Sequence, residues 1–237
     1  MKRRLLRSAL PAWMVATGAR ADDAAAPAAG RKYVMMSLVG DQLTYVQKLG
    51  DELGSNLNHN EHREVPMTDA PFDITALQVM AGALPAVAPG ATMSFLKGSS
   101  PDYFSDQIEW FSGGALVLPE HLKNGIAGEH GDYLLLLTKW RGNTIVTDGT
   151  DARGQGKLSG LGFYSDASQP TTLGEGFTAP YVYVKLSLVD LSTSRLVREF
   201  AVHTATIGPS RSFKLAPLQD MLIADVQRAM QEVFKPA

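Results

Sequence analysis

The chain has 237 residues, with 22 Lys and Arg against 24 Asp and Glu, 45% hydrophobic residues, 22 Gly, 13 Pro and no cysteine. That composition fits one folded domain and excludes wholesale disorder, and the lack of cysteine excludes disulfides, zinc ribbons, thiol catalysis and an acylated N-terminal cysteine. No apolar run reaches the length of a membrane-spanning helix, and no collagen-like or heptad repeat occurs.

Lys2, Arg3, Arg4 and Arg7 precede an apolar stretch at 9–18 that ends in Ala19-Arg20-Ala21, the pattern of a signal peptide cleaved before Asp22. Residues 1–21 therefore read as a signal peptide, 22–30 as a small-residue spacer and 31–237 as a single domain working in the periplasm or outside the cell. Removing the five basic residues of the leader leaves 17 basic against 24 acidic, a charge near −7 that disfavours nucleic acid as a partner.

In chain order, residues 33–39 and 43–48 are strand-like on either side of Gly40-Asp41, which predicts a β-hairpin. Residues 50–66 are polar and aperiodic, a long loop with room for a short strand near 63–67. Asp73 is placed to cap a helix whose apolar stripe is Ile74, Leu77, Met80, Ala81 and Leu84, ending at Pro85. A short strand follows at 91–96. Ser100-Pro101-Asp102 and Gly113-Gly114 bracket a second helix over 101–111, and Pro119 opens a third that carries Leu122 and Ile126 on one face.

Residues 132–140 hold four consecutive leucines without alternation, as in a strand covered on both faces. Beyond a Gly- and Asp-rich turn, 156–165 reads as a strand whose glycines signal a bulge or a close backbone approach. A second long hairpin is expected from 181–189 and 196–206, with Val182, Val184, Leu186 and Leu188 inward and Tyr181, Tyr183, Lys185 and Ser187 outward. Pro217 begins a last helix with Leu218, Leu222, Val226, Ala229 and Val233 in one stripe. The expected fold is α/β: a mixed sheet with hairpins, packed by about four helices into a single-domain sandwich.

The helix from Pro119, the strand GDYLLLLTKW at 131–140 and the hairpin YVYVKLSLVDLSTSRLVREF at 181–200 together resemble the periplasmic domain of the curli-secretion lipoproteins and the related penicillin-binding-protein activator lipoproteins, over about residues 116–206. That resemblance implies an accessory role in the bacterial envelope. Ser194 stands where the family has a turn glycine, and there is no cysteine to carry the family's lipid anchor.

Candidate chemistry is sparse. His59 and His62, with Glu61 and Glu64 beside them, are the weak candidates for a metal site, and the alternative reading is an envelope hydrolase using a metal held at 56–64. Ser159 lacks the Gly-x-Ser-x-Gly spacing of a nucleophile elbow, Gly154-Gln155-Gly156 precedes a strand rather than a helix, and the paired carboxylates lie in polar turns. No catalytic residue, cofactor or enzymatic activity is therefore assigned. The aperiodic stretch 165–180 is expected to be a long functional loop, and Trp140, Arg141, Tyr164, Phe177, Tyr181, Tyr183 and Lys185 beside it are expected to form an open surface for an envelope protein or small ligand.

Overall fold

The computed structural model describes residues 30–48, 60–98, 101–105, 107–112, 115–148, 151–171, 174–207 and 213–236. The expected leader, the spacer up to residue 29, and His59 lie outside them. The elements in order are β1 (Lys32–Leu38), β2 (Gln42–Lys48), β3 (Asn60–Pro66), α1 (Pro71–Val87), β4 (Thr92–Lys97), β5 (Phe111–Ser112), β6 (Ala115–Leu116), α2 (Glu120–Gly128), β7 (Tyr133–Lys139), β8 (Arg141–Asp148), β9 (Asp151–Thr171), β10 (Gly174–Asp190), β11 (Arg195–Ala205) and α3 (Leu215–Val233). The α/β class and the mixed sheet agree with the sequence expectation.

Strand β10 organises the sheet. Its first half pairs antiparallel with β9, its second half pairs antiparallel with β7, and β11 runs antiparallel along its other side. Strand β7 and the second half of β9 thus share one lane, end to end. The next lane repeats the arrangement, because β1 lies parallel to β7 and β2 parallel to β9. Strand β4 borders β1 in parallel and β3 borders β2 antiparallel.

This topology overturns the first hairpin. Strands β1 and β2 pair with other strands and not with each other, and neither Gly40 nor Asp41 takes the positive φ that a two-residue hairpin turn requires. The chain is carried across the gap between them by Asp73. Its carboxylate accepts hydrogen bonds from the Ser37 hydroxyl (2.6 Å), the Val39 N–H (2.8 Å) and the Gly40 N–H (3.2 Å), so no turn closes there. A Cβ on Gly40 would lie 2.9 Å from an Asp73 carboxylate oxygen, which leaves room for glycine alone.

The inward pull on Asp73 also resets α1. Asp73 does not cap the helix, whose N-cap is Ala70, and the buried face is Phe72, Asp73, Thr75, Ala76, Met80 and Leu84. Ile74, expected inside, is 48% exposed, and Pro85 is absorbed in the last turn instead of ending the helix. The helix expected over 101–111 is replaced by two single 3₁₀ turns, Pro101–Tyr103 and Gln107–Trp110. There the buried Gln107 amide donates to the carbonyls of Leu38 (2.9 Å) and Tyr103 (3.0 Å) and accepts from the Lys139 N–H (2.9 Å). The side chain is committed to the ends of β1 and β7, and three α-helices, not about four, remain among the described residues.

The four leucines of β7 are wholly buried, as their lack of alternation predicts. Leu135 and Leu137 join the cluster under α1 and α3, whereas Leu134 and Leu136 pack with Leu122 and Ile126 of α2. The predicted stripe of α3 is buried at all five positions, Leu218, Leu222, Val226, Ala229 and Val233. No helix among the described residues is long and apolar enough to cross a membrane.

Candidate functional site

Two glycines shape the site. Strand β9 changes partners at Gly160, where φ is +66°: residues 151–159 pair with β8, and the rest of the strand runs on in the main sheet. At Gly162 a Cβ would lie 1.9 Å from the Thr44 carbonyl oxygen and 2.6 Å from the Tyr181 hydroxyl, so only glycine lets β9 lie against β2 there. Gly162 bears out the close backbone approach expected of these glycines, whereas Gly160 owes its place to the positive φ at the break in the strand.

The β8–β9 hairpin therefore leaves the sheet between β7 and the second half of β9. One of its faces carries Val146 and Leu158 into a cluster with Val46, Tyr164, Phe177, Ala179, Tyr181 and Tyr183. This corrects the expectation of an open aromatic face. Tyr164, Tyr181 and Tyr183 are fully buried and Phe177 is 5% exposed. Residues 165–180 are likewise not a loop, because their described part continues β9 and β10 as a paired ladder. The cover was missed because β8 and the start of β9, at 141–155, read as a turn.

Within that cluster Trp140, itself half-buried, stacks on Tyr183 (5.8 Å between centroids, 11° between planes) and lies 5.5 Å from the His203 ring. Tyr181 meets Tyr183 edge-on, and Tyr164 stacks with Phe177. The Tyr181 hydroxyl donates to the Thr44 carbonyl (3.2 Å), and burial holds its ionisation far above that of an ordinary phenol. Five of the seven expected site residues thus come together as core. Lys185 is tied to Glu199 at 3.0 Å, and Arg141 turns toward the other side of the hairpin.

That other side is a polar cleft of about 360 Å³. The hairpin contributes Arg141, Lys157 and Ser159, strand β2 contributes Gln42 and Thr44, strand β3 contributes His62 and Glu64, and Lys139 lies at the base. In the ladder Arg141 faces Ser159, and Lys157 lies two residues along on the same side, whereas Val146 and Leu158 point away into the aromatic cluster. Arg141 and Lys157 are exposed and make no ion pair among the described residues. Lys139 is anchored by Asp41 at 2.6 Å, with 15% of its side chain exposed.

The cleft collects two residues singled out from sequence, Arg141 and His62, with Glu64 and the rejected nucleophile Ser159. Lys139 and Lys157 were missed, although the alternation of Lys157 and Ser159 with Leu158 carries the period of a strand with one polar face. The metal reading finds less support. His62 and Glu64 line the cleft and Glu61 lies on the opposite side of β3, and no group of three metal-ligating side chains occurs among the described residues. A second cavity, of about 570 Å³, lies beside α2. Its floor is Leu118, Ile126, Val189 and Leu191, and its acids are already engaged: Asp132 by Arg31 and the Lys32 N–H, and Asp190 by the Ser192 and Thr193 N–H groups.

No family model matches the chain, and no curated protein matches it. Among solved structures it is similar to a PelC dodecamer from Paraburkholderia phytofirmans at 13% identity, covering 90% of this chain and 92% of that one with a TM-score of 0.38. It is also similar to a homologue of a neuraminyllactose-binding hemagglutinin from Helicobacter pylori (9% identity, 88% and 86% covered, TM-score 0.37). A protein from Xanthomonas campestris gives 10% identity, 87% and 82% covered and a TM-score of 0.36. Likenesses this distant assign neither partner nor activity.

Proposed function

We propose that the chain is an exported, non-catalytic accessory or binding protein of the bacterial cell envelope, and that it holds its partner or ligand in the cleft between β3 and the β8–β9 hairpin. The observation that carries this reading is the meeting of two exposed cations, Arg141 and Lys157, neither in an ion pair among the described residues, in one concavity of a chain whose net charge is −2. Cations massed against the sign of the whole molecule cost self-repulsion, and a bound partner relieves it. The basic and apolar start of the sequence supports export, and the resemblance over residues 116–206 supports the envelope setting.

In this reading the aromatic face builds the wall of the site and does not touch the partner. Tyr181, Tyr183 and Phe177 hold the hairpin upright through Val146 and Leu158, and the hairpin presents Arg141 and Lys157. The test is capture of a partner from envelope extract by the chain purified from its host, with wild type beside Arg141→Glu/Lys157→Glu. Loss of a partner in the double variant, with its melting temperature unchanged, is the expected result. Equal capture by both forms, or an intact leader on cytosolic protein, contradicts the proposal.

A further inference from the structure

We infer that the cleft recognises a phosphate monoester group, a deepening that rests on the cleft being the contact surface. Arg141 and Lys157 are the two lining cations without an ion-pair partner among the described residues. A phosphate monoester carries a charge near −2 at neutral pH and three strong acceptor oxygens, so it engages both. A lone carboxylate matches one of them. The guanidinium offers a planar fork suited to two phosphate oxygens, and the ammonium adds a movable point charge.

The remaining lining suits the same group. Thr44, Ser159 and Gln42 are half-buried side chains that can donate hydrogen bonds to the remaining oxygens. Lys139 is neutralised by Asp41 at 2.6 Å, so the charge offered to an anion comes from Arg141 and Lys157. Among the described residues Glu64 is the one acid in the lining, and it opposes an anion from the β3 side. The volume of about 360 Å³ fits a small group or a headgroup and not a polymer segment.

The phosphate monoester can be borne by a soluble metabolite or by a lipid headgroup, and the experiment separates the two. The full chain is titrated calorimetrically with glycerol 3-phosphate, and in parallel floated with phosphatidylcholine vesicles that contain or lack phosphatidate. Saturable binding in either arm supports the inference, the first arm alone indicating a soluble ligand and the second alone a lipid. Arg141→Glu and Lys157→Glu should each weaken that binding by about tenfold or more, and Glu64→Gln should strengthen it. His130→Ala, at the separate cavity beside α2, should leave it unchanged. Absence of binding in both arms overturns the inference, as does binding that survives both charge reversals. Envelope-partner capture that still depends on Arg141 and Lys157 would then leave the binding role standing, whereas its loss as well would remove both.

Discussion

Replacing Asp73 by alanine removes the acceptor for three buried donors at the step between β1 and β2. The Ser37 hydroxyl can rotate to another acceptor, but the Val39 and Gly40 N–H groups cannot. Each unsatisfied buried N–H costs roughly 1–3 kcal/mol, so Asp73→Ala should destabilise by about 2–6 kcal/mol, less the gain from no longer burying a carboxylate. That is a large part of the roughly 5–15 kcal/mol typical of a folded domain. Asp73→Asn keeps one oxygen for Ser37 and Val39 and loses the bond to Gly40, so its cost should be nearer 1 kcal/mol. Urea denaturation followed by circular dichroism gives the midpoints of all three proteins, with the slope checked for an altered unfolded state. An Asp73→Ala protein within about 0.5 kcal/mol of wild type, or an asparagine variant as damaged as the alanine one, would refute this role of the carboxylate.

Three further outcomes follow from the same packing. Phe177→Ser with Tyr183→Ser should unfold the protein or cost several kcal/mol, about 3–5 for each large aromatic truncated, and a double variant that melts with wild type would return these rings to the surface. Gly162→Ala should part β2 from β9 and abolish cooperative unfolding, because its Cβ meets a backbone carbonyl at 1.9 Å; normal urea unfolding of that variant would refute the close approach. Burial raises the Asp225 carboxyl above its ordinary range, while the Thr204 hydroxyl at 3.0 Å and the positive charges of Arg228 and His203 oppose the shift. The stability this group contributes is present below the unfolded value of about 3.9 and lost as pH rises through the raised folded value. Urea midpoints of wild type and Asp225→Asn should therefore diverge in favour of asparagine as pH rises from acid, and a constant gap would refute the assignment.

What the sequence made legible was local, and what it hid was partnership. The leucines of β7 and the stripe of α3 declare their burial by composition and period, because a doubly covered strand lacks alternation and a helix on a sheet repeats near 3.6. The pairing of β1 with β7 and of β2 with β9 could not be read so, since Gly40-Asp41 has the look of a hairpin turn and the group that prevents it, Asp73, lies more than thirty residues away. The aromatic face failed for a similar reason. Alternation correctly put Tyr181 and Tyr183 opposite Val182 and Val184, but it does not say that a second hairpin covers the tyrosines. Of the cleft, Arg141 and His62 were visible as candidates, with Glu64 beside His62, while Lys139 and Lys157 acquire meaning only once Gly160 sends the β8–β9 hairpin out of the sheet.

Site-specific photocrosslinking in the living host tests the role of the cleft most directly. A benzophenone side chain at position 62, on the β3 side of the cleft, leaves Arg141 and Lys157 intact and is compared with one at Gln78, in the groove between α1 and α3 on the helical face. An adduct that forms from position 62 in the envelope fraction, fails to form from position 78 and disappears with Arg141→Glu is the predicted result. The same adduct from position 78 with none from position 62 would contradict it, placing the working surface on the helices.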